Sequence, residues 1–182
     1  KGDDENRKIK VCTVRAGNVI GGGDYAKDRL IPDAIRSIVS KDTLNVRSPH
    51  STRPWQHVLE PLAAYIEIAE KTYSYEDKTI LDELHGINIG PSIDDCKTVS
   101  DVLAEINKCW ECKFNECTDN SSFKEAKYLS LSTDRARCLL DWRQRLSFEE
   151  AIYITTTWYK NVSSGKLTAL EACKNDIIKY GL

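Results

Sequence analysis

"RAGNVIGGGDYAKDRLIPD", Arg15–Asp33, is the stretch on which the fold turns. It sets Gly17, Asn18 and Gly21 to Gly23 directly behind a short β-branched run and directly ahead of a helix-compatible segment. Such a stretch suits a phosphate-cradling loop, a nucleophile elbow or a plain surface turn. A strand that ends in small residues exposes backbone N–H groups, which favour an anion such as a diphosphate. The spacing nevertheless matches neither G-x4-G-K-[ST] nor G-x-G-x-x-G, and no acidic residue follows a second strand at the dinucleotide distance. No serine sits in G-x-S-x-G, which removes the elbow. On pattern alone, a flexible loop and a binding loop both remain open.

The surrounding composition narrows the field. A chain of 182 residues with 41% hydrophobic and 30% charged residues is long enough for one domain with a hydrophobic core. A formal net charge of −2 gives no electrostatic argument for nucleic acid or an anionic membrane as partner. No apolar run approaches the roughly 18 residues needed to cross a bilayer. The charged run from Lys1 to Lys10 has no apolar stretch of the secretory type. The chain contains no methionine, which leads to the expectation of a processed or partial chain. Among seven cysteines, Cys109, Cys112 and Cys117 form C-x2-C-x4-C, half of a zinc-like pattern. The second half is missing, since His50, His57 and His85 are scattered upstream. Reduced thiols, no metal and a cytoplasmic location are the expectation.

Periodicity predicts alternating short strands and amphipathic helices. Strands are expected at 9–14, 44–47, 86–90, 113–117 and 128–131. A helix over 30–39 carries Pro32 in its first turn, where a missing N–H costs nothing. A helix over 59–73 has apolar residues at 59, 62, 63, 66, 69 and 73, which predicts a buried face there. Thr98 opens a helix to about residue 108, and a short helix is expected over 133–140. Ser147-Phe-Glu-Glu150 is a capping box for a helix that aligns Phe148, Ala151, Ile152, Thr155, Trp158 and Tyr159 on one face. Thr168-Ala-Leu-Glu171 opens the last helix, which ends near Tyr180. The fold class is mixed α/β in one unit.

A second constellation is "NVRSPHSTRPWQHVLE", Asn45–Glu60. It gathers Arg47, His50, Arg53 and His57 around one loop with Trp55 among them. A guanidinium fork suits phosphate oxygens, and an aromatic or guanidinium plane stacks on a base. The alternative is that Arg53 caps a helix or pairs with a carboxylate while Trp55 is core. Tyr-x-x-x-Lys is absent, and no acid–base pair can be nominated from the residues.

Taken together, "RAGNVIGGGDYAKDRLIPDAIRSI", "SPHSTRPWQHVLEPLAAYIEIAE", "INIGP", "EAKYLSL" and "TDRARCLLDWRQRLSFEEAIYITTTWYKNV" resemble the nucleotide-sugar branch of the extended short-chain dehydrogenase/reductase superfamily. "RPWQHVLEPL" points within it to the dehydratases of CDP-glucose, over epimerases and the GDP-mannose and dTDP-glucose dehydratases. The resemblance implies the C-terminal part of a Rossmann-type fold: late sheet strands plus the smaller mixed α/β substrate-binding lobe, over residues 1–182. Members are about twice this length, and their N-terminal half carries the dinucleotide fingerprint and the Tyr-x-x-x-Lys pair. It further implies NAD as cofactor, a nucleotide-sugar substrate, a homodimer as the whole enzyme, and the conversion of CDP-glucose to CDP-4-dehydro-6-deoxyglucose. The chain by itself is then expected to be inactive. The alternatives are a related sugar-nucleotide epimerase or dehydratase of the GDP-mannose or dTDP-glucose type, and a non-catalytic nucleotide-sugar binding module.

By position, the resemblance places Arg15, Ala16, Gly17 and Asn18 near the cofactor. It places Asn18, Arg29, Leu30, Arg47, Arg53, His57, Glu125 and Tyr128 near the substrate, with Asn18 at the glycosyl phosphate, Arg47 at the base and Arg53 at the diphosphate. Structural roles for His57 and Glu60 stand as the alternative. Tyr25 and Lys127 depart from the tryptophan and histidine more usual there. A second diphosphate arginine has no counterpart near Asn120 to Ser122.

Overall fold

Extended backbone begins at Val14, and Gly17 splits it into β1 (Val14–Ala16) and β2 (Asn18–Ile20) in the computed structural model, which describes residues 10–74, 85–117 and 126–181. β1 runs parallel to β6 (Ile87–Ile89), with Val14 opposite Ile87 and Ala16 opposite Ile89. β2 instead runs parallel to β5 (Trp55–His57), with Asn18 opposite Trp55 and Ile20 opposite His57. The change of neighbour falls at Gly17. Its N–H donates to the Ile89 carbonyl at 3.0 Å, while the N–H of Asn18 donates to the Pro54 carbonyl at 2.9 Å. A Cβ at position 17 would meet the Pro54 oxygen at 2.5 Å, so only glycine allows this crossing. Gln56 is fully buried and its Nε2 donates to the same Ile89 carbonyl at 2.9 Å, tying β5 to β6.

Two further strand pairs lie beside these. β3 (Leu44–Val46) is parallel to β8 (Phe114–Glu116), and β4 (Thr52–Arg53) is antiparallel to β7 (Lys97–Thr98). Parallel neighbours need long crossovers. Helices α1 (Leu30–Ser40), α2 (Leu59–Ser74) and α3 (Val99–Cys109) lie within those connections. Helices α4 (Asp134–Leu140), α5 (Phe148–Ser163) and α6 (Ala169–Tyr180) follow.

Local signals decide most of these boundaries. Thr98, Ser147 and Thr168 each accept a hydrogen bond from the backbone N–H three residues on, and Asp101, Glu150 and Glu171 accept in turn from the cap residue's N–H. The expected apolar face of α5 is buried along its whole length, from Phe148 to Tyr159. With Ile20, Ile31, Ile35, Val102 and Ile106 it forms the larger hydrophobic cluster. A smaller one joins Ala64 and Ile68 of α2 to Ile87, Ile89, Ala136, Leu140 and Trp142.

Three expectations are corrected. Residues 10–13 are not a buried strand: pairing starts only at Val14, and Val11 is exposed. At 128–131 there is no strand but a single parallel bridge between Tyr128 and Thr52. On α2 the buried side is Leu59, Glu60, Pro61, Ala64 and Ile68, while Leu62, Ile66 and Tyr73 are exposed at 45%, 54% and 87%. Helical period identifies an apolar stripe, and here most of it beyond Leu59 faces away from the cluster the helix packs on. Among the described residues, no helix is long and apolar enough to cross a membrane.

Candidate functional site

The turn after β2 is not a phosphate cradle. A Cβ at Gly22 would lie 2.0 Å from Cδ2 of Trp158, so the bare backbone is pressed onto the indole of α5. Tyr159, the next residue of α5, is buried, and its hydroxyl lies 2.6 Å from the Asp24 carbonyl and 3.2 Å from that of Gly21. Burial pushes this phenol up to about 12, so it remains a hydrogen-bond donor throughout the neutral range. The glycines therefore serve close packing, and the turn leads the chain from β2 to α1.

Between that turn, β3 and β4 lies a cleft of about 820 Å³. Gly17 and Asn18 form one wall, and Arg29, Leu30 and the first turn of α1 form a second. Leu44 to Ser48, including Arg47, make a third, with Arg53, Trp55 and Val99 completing it. Arg53 is only 6% exposed, and its Nη1 donates to the Thr52 carbonyl at 2.8 Å. A guanidinium withdrawn from water in this way interacts strongly with an anion that reaches it. Trp55 is buried in the floor, where its Nε1 donates to the Lys97 carbonyl at 3.0 Å. Arg47 is exposed at the rim. Asp24, Asp28 and Asp33 also line the cleft, none of which the sequence motifs had singled out. Asp24 and Asp33 are paired with Arg29 and Arg36.

The remaining candidates lie elsewhere. Arg15 and Ala16 are on β1, outside the cleft lining, and Arg15 Nη1 reaches Asn88 Oδ1 at 3.5 Å. Tyr128 is exposed at its bridge to Thr52 and does not line the cleft. Glu125 lies outside the described residues. His57 is inside the protein on β5, where its Nδ1 accepts from the Leu59 N–H at 3.3 Å and so caps the start of α2. Burial lowers its pKa to about 4, which keeps the ring neutral. Glu60 is fully buried as well: Oε1 accepts from the N–H groups of Arg145 and Leu146, and Oε2 from the Tyr180 hydroxyl. Desolvation raises its pKa, against the opposing pull of these hydrogen bonds.

The guanidinium groups of the cleft lining suit recognition of an anion. Among the described residues that line the cleft, the ionisable side chains are Arg29, Arg47 and Arg53 with Asp24, Asp28 and Asp33. Among the described residues, no group of three or more His, Cys, Asp and Glu is placed to hold a metal ion; Cys112 is buried and Cys117 exposed. Nor do the described residues fit a dinucleotide by themselves, because the glycine turn is packed against Trp158 instead of standing open.

No protein-family profile matches the chain. It is 40% identical over 177 residues to the CDP-glucose 4,6-dehydratase of Salmonella typhimurium (strain LT2), a match covering 97% of this chain and 48% of that protein, in its C-terminal part. The structure resembles UDP-glucuronic acid 4-epimerase from Bacillus cereus in complex with NAD, with a TM-score of 0.68 and 16% identity over 88% of this chain and 47% of that one. It also resembles dTDP-glucose 4,6-dehydratase from Bacillus anthracis in complex with NAD, with a TM-score of 0.66 and 21% identity over 82% of this chain and 45% of that one. The chain spans about half the length of the relatives it matches. Its fold is that part of the Rossmann-type extended short-chain dehydrogenase/reductase fold which these neighbours share with it.

Proposed function

We propose that residues 1–182 are the substrate-binding part of a CDP-glucose 4,6-dehydratase, acting with an NAD-binding part in a homodimeric enzyme. The observation that carries this reading is the cleft itself. Asn18, Arg29, Arg47 and Arg53 are far apart in sequence, and they line one space of nucleotide-sugar size around a buried guanidinium. The 40% identity to the Salmonella typhimurium dehydratase supports CDP-glucose over other nucleotide sugars. The exposed apolar stripe of α2 supports a further packing partner for this chain.

In this reading Arg53 and Arg29 neutralise the diphosphate, Arg47 covers the base, and Asn18 meets the glycosyl phosphate. The chain supplies binding and orientation, which lower a barrier by holding the sugar in one pose. The groups that move protons and hydride belong to the NAD-binding part.

Calorimetric titration of the chain with CDP-glucose tests the proposal. Binding is expected, and Arg53→Ala should weaken it by about 2 kcal/mol, the scale of a lost charge-assisted contact. Equal affinity in variant and parent would remove Arg53 from the site. Titration with UDP-, dTDP- and GDP-sugars decides the base.

A further inference from the structure

Arg29 stands at the cleft with a counter-ion already beside it. Its Nη1 lies 3.4 Å from Oδ2 of Asp24, and both residues line the cleft. The two partners are held very differently. The other oxygen of Asp24, Oδ1, accepts a hydrogen bond from the Ala26 N–H at 2.9 Å, an Asx turn that fixes the carboxylate. The Asp24 carbonyl receives the Tyr159 hydroxyl, which anchors the same residue to α5. The Arg29 side chain is 63% exposed, and as the N-cap residue of α1 it makes no side-chain capping bond. The carboxylate is anchored, and the guanidinium is the more exposed partner.

We propose that Asp24 is an internal competitor for Arg29: it holds the guanidinium in the empty cleft and releases it to the diphosphate of an incoming nucleotide sugar. This rests on the reading of the cleft as a nucleotide-sugar site. Exchange is cheap, because an ion pair with one long contact and substantial exposure contributes little to stability. A diphosphate offers more oxygens to the guanidinium fork than one carboxylate oxygen at 3.4 Å. Asp24 remains in the wall after the exchange, and its fixed negative charge weakens the hold on any anionic ligand. It thereby keeps affinity low enough for release, and it favours ligands whose charge is sufficient to displace it.

The test uses Asp24→Asn, which keeps an oxygen to accept from Ala26 and removes only the charge. Titration of the full chain with CDP at low salt should show binding about fivefold tighter than the parent, the upper range for an exposed pair. The gain should shrink as salt rises, and it should be absent when Arg29→Gln is the background. Cytidine, which carries no phosphate, should bind Asp24→Asn and parent alike. Unchanged or weaker CDP binding by Asp24→Asn overturns the proposal while leaving the cleft assignment intact. An equal gain in the Arg29→Gln background also overturns it, since the charge would then act without Arg29. A parent chain that binds neither CDP nor CDP-glucose refutes the cleft assignment and the proposal with it.

Discussion

The Tyr180 hydroxyl lies 3.0 Å from Oε2 of Glu60, so the last turn of α6 is joined to the first turn of α2 inside the protein. The other oxygen of Glu60 takes the N–H groups of Arg145 and Leu146 at 3.0 and 2.7 Å. The Arg145 guanidinium lies over the Tyr180 ring, 5.1 Å from its centroid. One carboxylate thus satisfies three donors from two distant segments. Glu60→Ala strands all three, and the expected loss is about 3 kcal/mol in urea unfolding. Glu60→Gln keeps an acceptor for the two backbone groups and should lose about 1 kcal/mol. Equal losses for the two variants would show that packing volume, not hydrogen bonding, sets the value of this site.

His57 predicts a pH dependence with a defined sign. Burial lowers its pKa to about 4 in the folded chain, against the ordinary imidazole value of 6.5 once unfolded. Below pH 6.5 the unfolded state takes up a proton that the folded state refuses, so stability falls as pH drops from 6.5 towards 4 and levels off below that. The full effect is of the order of 3 kcal/mol. His57→Asn keeps an acceptor for the Leu59 N–H but does not titrate. Its unfolding free energy, followed by urea titration between pH 7 and 4, should decline less steeply than the parent's; parallel curves would reject the assignment.

Gly22 is predicted to be intolerant of the smallest side chain. Its added Cβ would lie 2.0 Å from Cδ2 of the Trp158 indole, itself buried against α5 neighbours. Gly22→Ala should destabilise by about 2–3 kcal/mol, the range for overpacking. Gly90→Ala is the control, because there the nearest atom is Leu131 Cδ1 at 3.7 Å, an ordinary contact. A thermal melt of Gly22→Ala that coincides with that of Gly90→Ala would contradict the close approach.

The outward stripe of α2 predicts self-association of the chain when it is studied by itself. Leu62, Ile66 and Tyr73 form an exposed apolar strip along the helix. Light scattering should report oligomers or aggregates. Leu62→Gln combined with Ile66→Lys should shift the distribution towards monomer without lowering the melting temperature, since neither side chain is buried. A monodisperse, monomeric parent would remove the argument for a partner at this face.

Much of the architecture was legible from local signals. Three reciprocal capping boxes, at Thr98, Ser147 and Thr168, are complete within four residues each, so spacing alone locates those helix starts. The buried face of α5 follows from period, because its stripe meets a core. The same argument applied to α2 held for Leu59 but also selected Leu62, Ile66, Ala69 and Tyr73, which are exposed, since period reveals which residues are apolar but not whether anything covers them. The single bridge at Tyr128 was equally hidden, because a strand needs a neighbour along its whole length and not only β-forming residues.

The site divides in the same way. Sequence by itself determined the family likeness, the glycine-rich turn after the first strands and the nomination of Asn18, Arg29, Arg47 and Arg53. Only the tertiary structure decided that these four line one cleft, that His57 is buried on β5 beside β2, and that Asp24 sits beside Arg29. It also turned the glycines from a candidate anion loop into a packing surface, because Trp158, far along the chain from Gly22, presses on it. The reason is physical: helix caps and turns are satisfied by atoms a few residues apart. Burial, pairing and electrostatic partners depend on segments that only folding brings together.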